Sequence, residues 1–318
     1  MLELQDRLRG IAVGAAVGDA LGMPLEFHPR RPLSAPVTEM EAGPLPEGTF
    51  TDDTEMALCL AESLLLTSPL SARDLSARFA AWYQSQPSDV GLHTARVLKL
   101  ISQGASHTEA ARKVQAEEPE SAGNGGVMRS WPVAIARYAN PALLAAETRI
   151  QCEITHTHAD SINGALVFNF ILYQILQESQ SSPEAVIRQA VMQATDQVAL
   201  EEDFLLTLNL APLRYRDDLT NSGWVRHSLE SALWAVQTTR SFEEALVRVV
   251  NLGNDADTAG CITGAIAGAL YGLQNIPVRW RQALHGEYPI HSGHLWFERD
   301  FIVLADKLAA LSEKPKTG

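Results

Sequence analysis

The sequence predicts a single compact all-α domain, and three observations support this. Apolar residues recur three and four positions apart along most of the 318 residues, which is the spacing of helices that bury one face. Alternating Val- and Ile-rich segments bounded by tight hairpin turns are absent from the sequence. No linker divides the chain, and it contains no repeat of fixed period. We therefore expect one domain over residues 1–311 and a disordered tail over 312–318.

Seven segments carry the helical pattern, namely 10–21, 57–66, 75–84, 164–176, 184–194, 227–236 and 259–273. The first and last, GIAVGAAVGDAL and AGCITGAIAGALYGL, are rich in glycine, which costs about 1 kcal/mol per residue in a helix interior relative to alanine. Small residues let other backbones approach closely, so we expect these two helices at the centre of the molecule. Loops are predicted at 27–48, at the glycine-rich 121–128 and at the polar 209–223. In the first of these, five prolines exclude a helix and the segment is long enough to form a lid.

Charge and cysteine content narrow the class of protein. The net charge is -13, with 38 acidic and 25 basic residues, which disfavours binding to nucleic acid or to anionic membranes. Cys59, Cys152 and Cys261 have neither zinc-site spacing nor a disulfide framework, as expected in a reducing compartment. The apolar run 11–25 contains Asp19, which argues against a signal peptide or a membrane span. A cytoplasmic protein is expected.

Two acidic motifs stand at predicted helix starts. TFTDDTEM places Thr51, Asp52 and Asp53 at one of them, and GNDADTAG places Asp255, Asp257 and Thr258 before the glycine-rich helix near the C-terminus. Taken alone, each motif is what a helix N-terminus needs for capping. If both converge in one pocket, four carboxylates repel one another unless cations neutralise them, and two divalent cations supply four positive charges. Ligands that are all oxygen select magnesium or manganese rather than zinc.

Four further motifs contain polar residues whose roles stay open at this point. In GDALGMPLEF, Asp19 is expected to be a buried structural carboxylate, whereas Glu26 fits a site or a solvated loop equally well. In SDVGLHT, Asp89 fits a helix cap or a site. In THTHAD, His156 and His158 are two residues apart and share no helical face, so a core or ligand-stacking role is favoured over zinc. The glycines of SAGNGGVMR can present amides to a diphosphate, although a plain turn is the default reading.

In this order, the blocks GDALGMPLEF, TDDTEMA, DVGLHT, GNGGVMR, THTHAD and NDADTAGCITGAIAGALYG resemble the ADP-ribosylglycohydrolase family. That family includes dinitrogenase reductase-activating glycohydrolase and the ADP-ribosyl hydrolases of animals. The resemblance runs from about Arg7 to Leu284. It implies a helical fold around a binuclear magnesium (or manganese) centre. It also implies an enzyme that removes ADP-ribose from a modified protein side chain, with free ADP-ribose as the product.

The resemblance also implies roles for individual positions. Asp89 and, second to it, Glu26 are the expected catalytic carboxylates, and Asp89 matches the aspartate of arginine-specific members. His93 stands where the family often has threonine, a departure that bears on the substrate more than on the chemistry. The implied metal ligands are Thr51, Asp52, Asp53, Asp255, Asp257 and Thr258. The implied ADP-ribose contacts are Gly123, Asn124, Gly125, Gly126, Val127 and Met128, with His156 or His158 on the distal side of the ligand.

Three alternatives to an arginine-specific hydrolase remain. The first is an enzyme that cleaves ADP-ribosyl-serine, and the second is an enzyme that hydrolyses a free ADP-ribose derivative. The third is a non-catalytic relative that binds ADP-ribose. Because both TDDT and DADT are intact, the sequence favours an enzyme over a silent relative.

Overall fold

The computed structural model of the protein describes residues 3–178 and 181–313. Its helices are α1 (Leu4–Gly22), α2 (Asp52–Leu66), α3 (Ala72–Gln84), α4 (Leu92–Ser102), α5 (His107–Glu117), α6 (Gly125–Met128), α7 (Trp131–Ala136), α8 (Pro141–Glu153), α9 (Ala159–Gln177), α10 (Pro183–Gln197), α11 (Glu202–Leu210), α12 (Val225–Thr238), α13 (Phe242–Val250), α14 (Ala256–Tyr271), α15 (Val278–Ala283) and α16 (Glu298–Glu313). Strands β1 (His285–Glu287) and β2 (Leu295–Phe297) form one antiparallel pair. The all-α class is confirmed, and this short hairpin is an addition to it.

Helices α1 and α14 run antiparallel in direct backbone contact at the centre of the molecule. A methyl group placed on Gly14 would lie 2.3 Å from the carbonyl oxygen of Gly264, and one placed on Gly18 would lie 2.0 Å from that of Gly260. Any larger residue would push the two backbones apart. The expectation that these glycine-rich helices are central and enclosed is therefore confirmed. Their contact continues to Gly22, which meets the start of α14 at Ala256.

The other helices surround this pair. α1 also packs against α7 and α16, while α14 packs against α9, α12 and α13. By length and composition alone, Leu4–Leu25 and α9 are suited to span a bilayer, but 94% and 78% of their apolar windows are buried inside the protein. Their apolar character is accounted for by the core.

Four predicted segments need correction. The loop 121–128 contains the single turn α6, and the loop 209–223 begins inside α11 and includes two 3-10 turns. The last predicted helix ends at Tyr271 because Gly272 has a φ of 77°, which stops an α-helix. The predicted tail starts too early, since α16 continues through Glu313 and Ser312 Oγ donates to the carbonyl of Ala136 at 2.7 Å. Residues 314–318 of the predicted tail lie outside the described residues.

Segment 27–48 contains neither helix nor strand, as its prolines predict. Asn251 holds this segment at Val37, because the Asn251 side chain accepts from the Val37 amide at 2.7 Å and donates to the Val37 carbonyl at 2.8 Å. The loop is therefore tied to the turn that precedes α14, and this turn carries one of the two acidic motifs.

Candidate active site

The two acidic motifs meet at one end of the α1–α14 pair. Asp52 and Asp53 open α2. Asp255 stands at the N-cap position of α14 without a side-chain capping bond, and the first turn of α14 carries Asp257. The Thr258 hydroxyl donates to Asp53 Oδ1 at 3.3 Å and joins the two motifs directly. Because the antiparallel contact sets the C-terminal end of α1 beside the start of α14, residues about 200 positions apart in the chain share one pocket.

Asp19, near the C-terminal end of α1, fixes the start of α2. Its carboxylate accepts from the amide and hydroxyl of Thr51 at 3.0 and 2.9 Å, and from the amide and hydroxyl of Thr54 at 3.1 and 2.5 Å. Burial raises the pKa of Asp19 to about 6, although these hydrogen bonds lower it. Asp19 is thus a buried structural carboxylate, as the sequence indicates. The Thr51 hydroxyl, a predicted metal ligand, is held by it.

Glu26 and Asp89 reach the same pocket. Carboxylate oxygens of Glu26, Asp89 and Asp257 lie within 4.8 Å of one another. Burial, followed by the charges of Asp89, Asp255 and Asp52, raises the pKa of Glu26 to about 9. The structure thus brings the two predicted catalytic carboxylates beside the predicted metal ligands.

The pocket has the properties of a site for hard cations. Burial and neighbouring carboxylates hold the pKa values of Asp52, Asp53 and Asp257 well above their ordinary range. Among the described residues, Asp53 Oδ2 and Asp257 Oδ1 are buried without a hydrogen-bond partner. A buried carboxylate oxygen without a donor is costly unless a proton or a cation satisfies it. With oxygen donors only, these residues fit divalent cations of the magnesium class.

The glycine loop, residues 123–128, lies beside this pocket. Asn124 connects the two, because its side-chain amide donates to Asp255 Oδ2 at 2.6 Å and to Ser228 Oγ at 2.7 Å. Its main-chain amide donates to the carbonyl of Gly223 at 3.0 Å. Val127 and Met128 are buried in the core, and their amides donate to the carbonyl of Asn124 at 2.8 and 3.1 Å. The sequence indicates a substrate contact for Asn124 but gives no sign of its bond to Asp255.

Buried polar side chains, among them Gln151, Thr155 and His156, pack against the glycine loop. A methyl group on Gly125 would lie 2.7 Å from the His156 ring, and Gln151 Nε2 donates to the carbonyl of Gly126 at 2.7 Å. His156 stacks on His93 with ring centroids 4.7 Å apart, and its Nδ1 lies 2.8 Å from Thr155 Oγ1. Burial, with the nearby charges of His93 and Arg129, keeps the pKa of His156 well below its usual value. His156 is therefore a neutral ring beneath the loop.

His158 has a different place. It precedes α9, and its Nδ1 accepts from the amide of Asp160 at 3.1 Å, which makes it a helix cap. Asp160 in turn accepts from Arg226 Nε at 2.6 Å. The expected role of His158 at the ligand stays a prediction.

Trp224 borders the glycine loop and was missed in the sequence. Its backbone pairs with Gly123, and the following amide, of Val225, donates to the carbonyl of Ala122 at 2.9 Å. The side chain of Trp224 is 39% exposed and lies between Arg226, 5.3 Å from its ring, and the edge-on ring of His227 at 4.8 Å. The available signal was a tryptophan that follows a polar loop directly, but only the fold brings it to the glycines.

Comparison with known proteins gives concordant matches. A family model described as ADP-ribosylglycohydrolase matches residues 1–318. The ADP-ribosylarginine hydrolase Tri1 of Serratia proteamaculans is 35% identical over 293 residues, covering 89% of this chain and 76% of that protein. The ADP-ribosyl-(dinitrogen reductase) glycohydrolase of Rhodospirillum rubrum is 30% identical, covering 88% and 91%. A solved structure described as an ADP-ribosylglycohydrolase-related protein complex has a TM-score of 0.80 at 32% identity, covering 98% of this chain and 99% of that one.

Proposed function

Since the chain belongs to the ADP-ribosylglycohydrolase family, we propose that it hydrolyses the N-glycosidic bond between ADP-ribose and a modified arginine side chain. Its proposed cofactors are two magnesium ions, with manganese as the substitute. The observation that carries this proposal is the meeting of two aspartate motifs around buried carboxylate oxygens that have no donor among the described residues. A cytoplasmic location is proposed as well, because Cys59, Cys152 and Cys261 are all free thiols.

The proposed metal ligands come from both helix starts: Thr51, Asp52, Asp53, Asp255, Asp257 and Thr258. Two divalent cations bound there would supply Lewis acidity next to the scissile bond. The protein's own part is to hold the ligand oxygens in place. Asp19 does so for the first motif, while Asn124 and Asn221 do so for the second, since Asn221 Nδ2 donates to the carbonyl of Asp255 at 3.0 Å.

The glycine loop and Trp224 are suited to hold the ADP-ribose. The amides of Gly125 and Gly126, the first two of the single turn α6, have no acceptor within that turn and are suited to donate to an anionic diphosphate. Gly125 and Gly126 have no side chains of their own, His156 packs against Gly125, and Gln151 donates to the carbonyl of Gly126. The exposed ring of Trp224 beside Gly123 offers a flat surface on which an adenine can stack.

In the proposed catalytic step, positive charge develops on the sugar next to the carboxylates of Asp89 and Glu26. Cleavage at an anomeric carbon passes through an oxocarbenium-like transition state, which nearby carboxylates stabilise. We assign Asp89 as the base that takes a proton from the attacking water. Glu26, hydrogen-bonded to Asp89, is assigned to pass a proton to the leaving guanidine nitrogen. The preference for arginine over serine rests on Asp89.

The test compares substrates and cations. Purified protein is incubated with ADP-ribosyl-arginine, ADP-ribosyl-serine and O-acetyl-ADP-ribose, with magnesium or with EDTA, and released product is quantified. We expect magnesium-dependent cleavage of ADP-ribosyl-arginine, its loss in EDTA and in Asp257→Asn, and no change in Asp196→Asn, whose carboxylate is exposed and outside the pocket. Full turnover after thorough chelation contradicts the metal proposal. Cleavage confined to the serine substrate contradicts the arginine proposal.

A further inference from the structure

Phe27 combines two features that are unfavourable in a free protein. Its side chain is 80% exposed, although it is a large apolar ring. Its backbone has a φ of 57°, in the left-handed region that a residue with a bulky side chain rarely occupies. Strain of this kind persists only where the surrounding structure imposes it, and it is concentrated at functional positions. Phe27 directly follows the site carboxylate Glu26.

The turn before α14 imposes this conformation. The Phe27 amide donates to the carbonyl of Asn254 at 2.7 Å, and the Asn254 amide donates to the carbonyl of His28 at 2.8 Å. Asn254 also has a positive φ, of 56°, and a methyl group on Gly253 would lie 2.4 Å from the His28 carbonyl oxygen. Residues 27–28 and residues 253–254 therefore hold each other in a fixed conformation. Glu26 directly precedes the first pair, and Asp255 directly follows the second. The ring of Phe27 is therefore held on a rigid backbone at the rim of the site.

An open hollow adjoins this rim on the outer side. Its volume is about 690 Å³, and its lining includes Phe27, Arg30, Asp217, Thr220 and Asn254. Asp217 Oδ1 lies 3.2 Å from Arg30 Nη1 and 3.6 Å from Arg216 Nη1, and the Asp217 side chain is 86% exposed. The hollow thus offers one exposed apolar ring and one exposed carboxylate that is paired with arginine, next to a pocket whose carboxylates are buried or half-buried.

We infer that this hollow receives the polypeptide that carries the ADP-ribosylated side chain, an inference that rests on the proposed function. The bond to be cleaved lies at the carboxylates of this pocket, so the modified side chain leaves the pocket past Glu26 and the chain bearing it crosses the rim. An exposed aromatic ring gives a large contact at small entropic cost because it has only two side-chain torsions. The Asp217 carboxylate is paired with Arg30 and Arg216 at one oxygen, and because it is largely exposed it can accept from a further donor beside the modified residue. Phe27 is the anchor of this contact.

The test separates a peptide contact from a contact with ADP-ribose. Phe27→Asn removes the ring and keeps the backbone, since asparagine tolerates the left-handed region. We expect kcat/KM on an ADP-ribosylated basic peptide to fall about tenfold, the usual size of a lost aromatic anchor. Turnover of free ADP-ribosyl-arginine, affinity for ADP-ribose and the melting temperature stay at wild-type values. Phe27→Tyr restores the peptide rate. Leu33→Ala, which removes another side chain that is 80% exposed on the same loop but outside the hollow, changes none of these.

Equal losses on the peptide and on free ADP-ribosyl-arginine would overturn the inference, because they would place Phe27 at the reaction or at the ADP-ribose. An unchanged peptide rate would also overturn it. Binding of the modified peptide is measured in parallel by fluorescence anisotropy, and weaker binding by Phe27→Asn than by wild type is required. If wild type cleaves neither substrate, the proposed function fails, while the anisotropy comparison still decides whether the hollow holds the peptide.

Discussion

At the scale of single residues, Asp19 supports the site through hydrogen bonds to the protein. Its carboxylate accepts four hydrogen bonds that hold Thr51 and Thr54 at the start of α2. In Asp19→Asn one oxygen becomes an NH₂ group facing these donors, which leaves buried groups unpaired. We expect a loss of about 1–3 kcal/mol in the free energy of unfolding, measured by urea denaturation, together with weaker magnesium binding. Asp196→Asn, at an exposed position, serves as the control. Wild-type stability in Asp19→Asn would contradict this role.

Asp89 gives the corresponding prediction for chemistry. Its carboxylate lies in the cluster with Glu26 and Asp257, yet it belongs to neither aspartate motif. Asparagine keeps its shape but cannot take a proton, so Asp89→Asn should retain metal content and ADP-ribose affinity. Turnover should fall about a hundredfold or more, the range for a lost general base. Product release assays, with calorimetry for the two affinities, check this. Wild-type turnover would move the base assignment to Glu26.

At the scale of helices, the α1–α14 contact links stability to the site. Gly10→Ala and Gly18→Ala form a matched pair, because each new methyl group meets a backbone carbonyl of α14, at 2.3 and 2.0 Å. Alanine favours an isolated helix by about 1 kcal/mol over glycine, so any net destabilisation reports the clash. We expect both variants to lose at least about 1–3 kcal/mol, as in overpacked cores. Only Gly18→Ala, at the end that carries the site, should also weaken magnesium binding. Equal metal affinity in the two variants would contradict this division.

The sequence predicted most of the long helices, but it did not single out α8 and α16, which have 13 and 16 residues, or most of the shorter helices. α1, α9 and α14 have long apolar runs that need no partner to be recognised. α5 carries a capping box, Ser106 with Glu109, that was a usable signal in the sequence. β1 and β2 are three residues each, too short for an alternating pattern to be distinctive. The turn α6 depends on contacts with residues distant in sequence, such as Gly223, so no local sequence pattern predicts it.

At the scale of the whole molecule, the convergence of the two acidic motifs was the part of the site that the sequence could predict. Like charges in two separate motifs imply shared cations, and the fold brings the motifs together. The contacts of Asn124 with Asp255 and of Trp224 with Gly123 were not predictable, since each joins segments about 100 or more positions apart. The family resemblance could indicate which residues belong to the site, but the geometry that holds them follows from packing.

The same charge concentration makes the stability of the metal-free protein depend on pH in an unusual direction. Burial raises the pKa of Glu26 to about 9 and holds those of Asp52, Asp53 and Asp257 well above their ordinary range. Between about pH 7 and 8.5 the folded state therefore binds more protons than the unfolded one, so the free energy of unfolding falls as pH rises. Half-buried His93 and buried His156, whose pKa values are lowered, act in the opposite direction only below this window. Magnesium binds the ionised carboxylates and should stabilise more at the higher pH, because protons compete with it at the lower. Urea denaturation in EDTA and in magnesium at both pH values, with potassium chloride at matched ionic strength as the control, measures this. A metal-free protein that is more stable at the higher pH would show that these carboxyls are not held protonated in the fold.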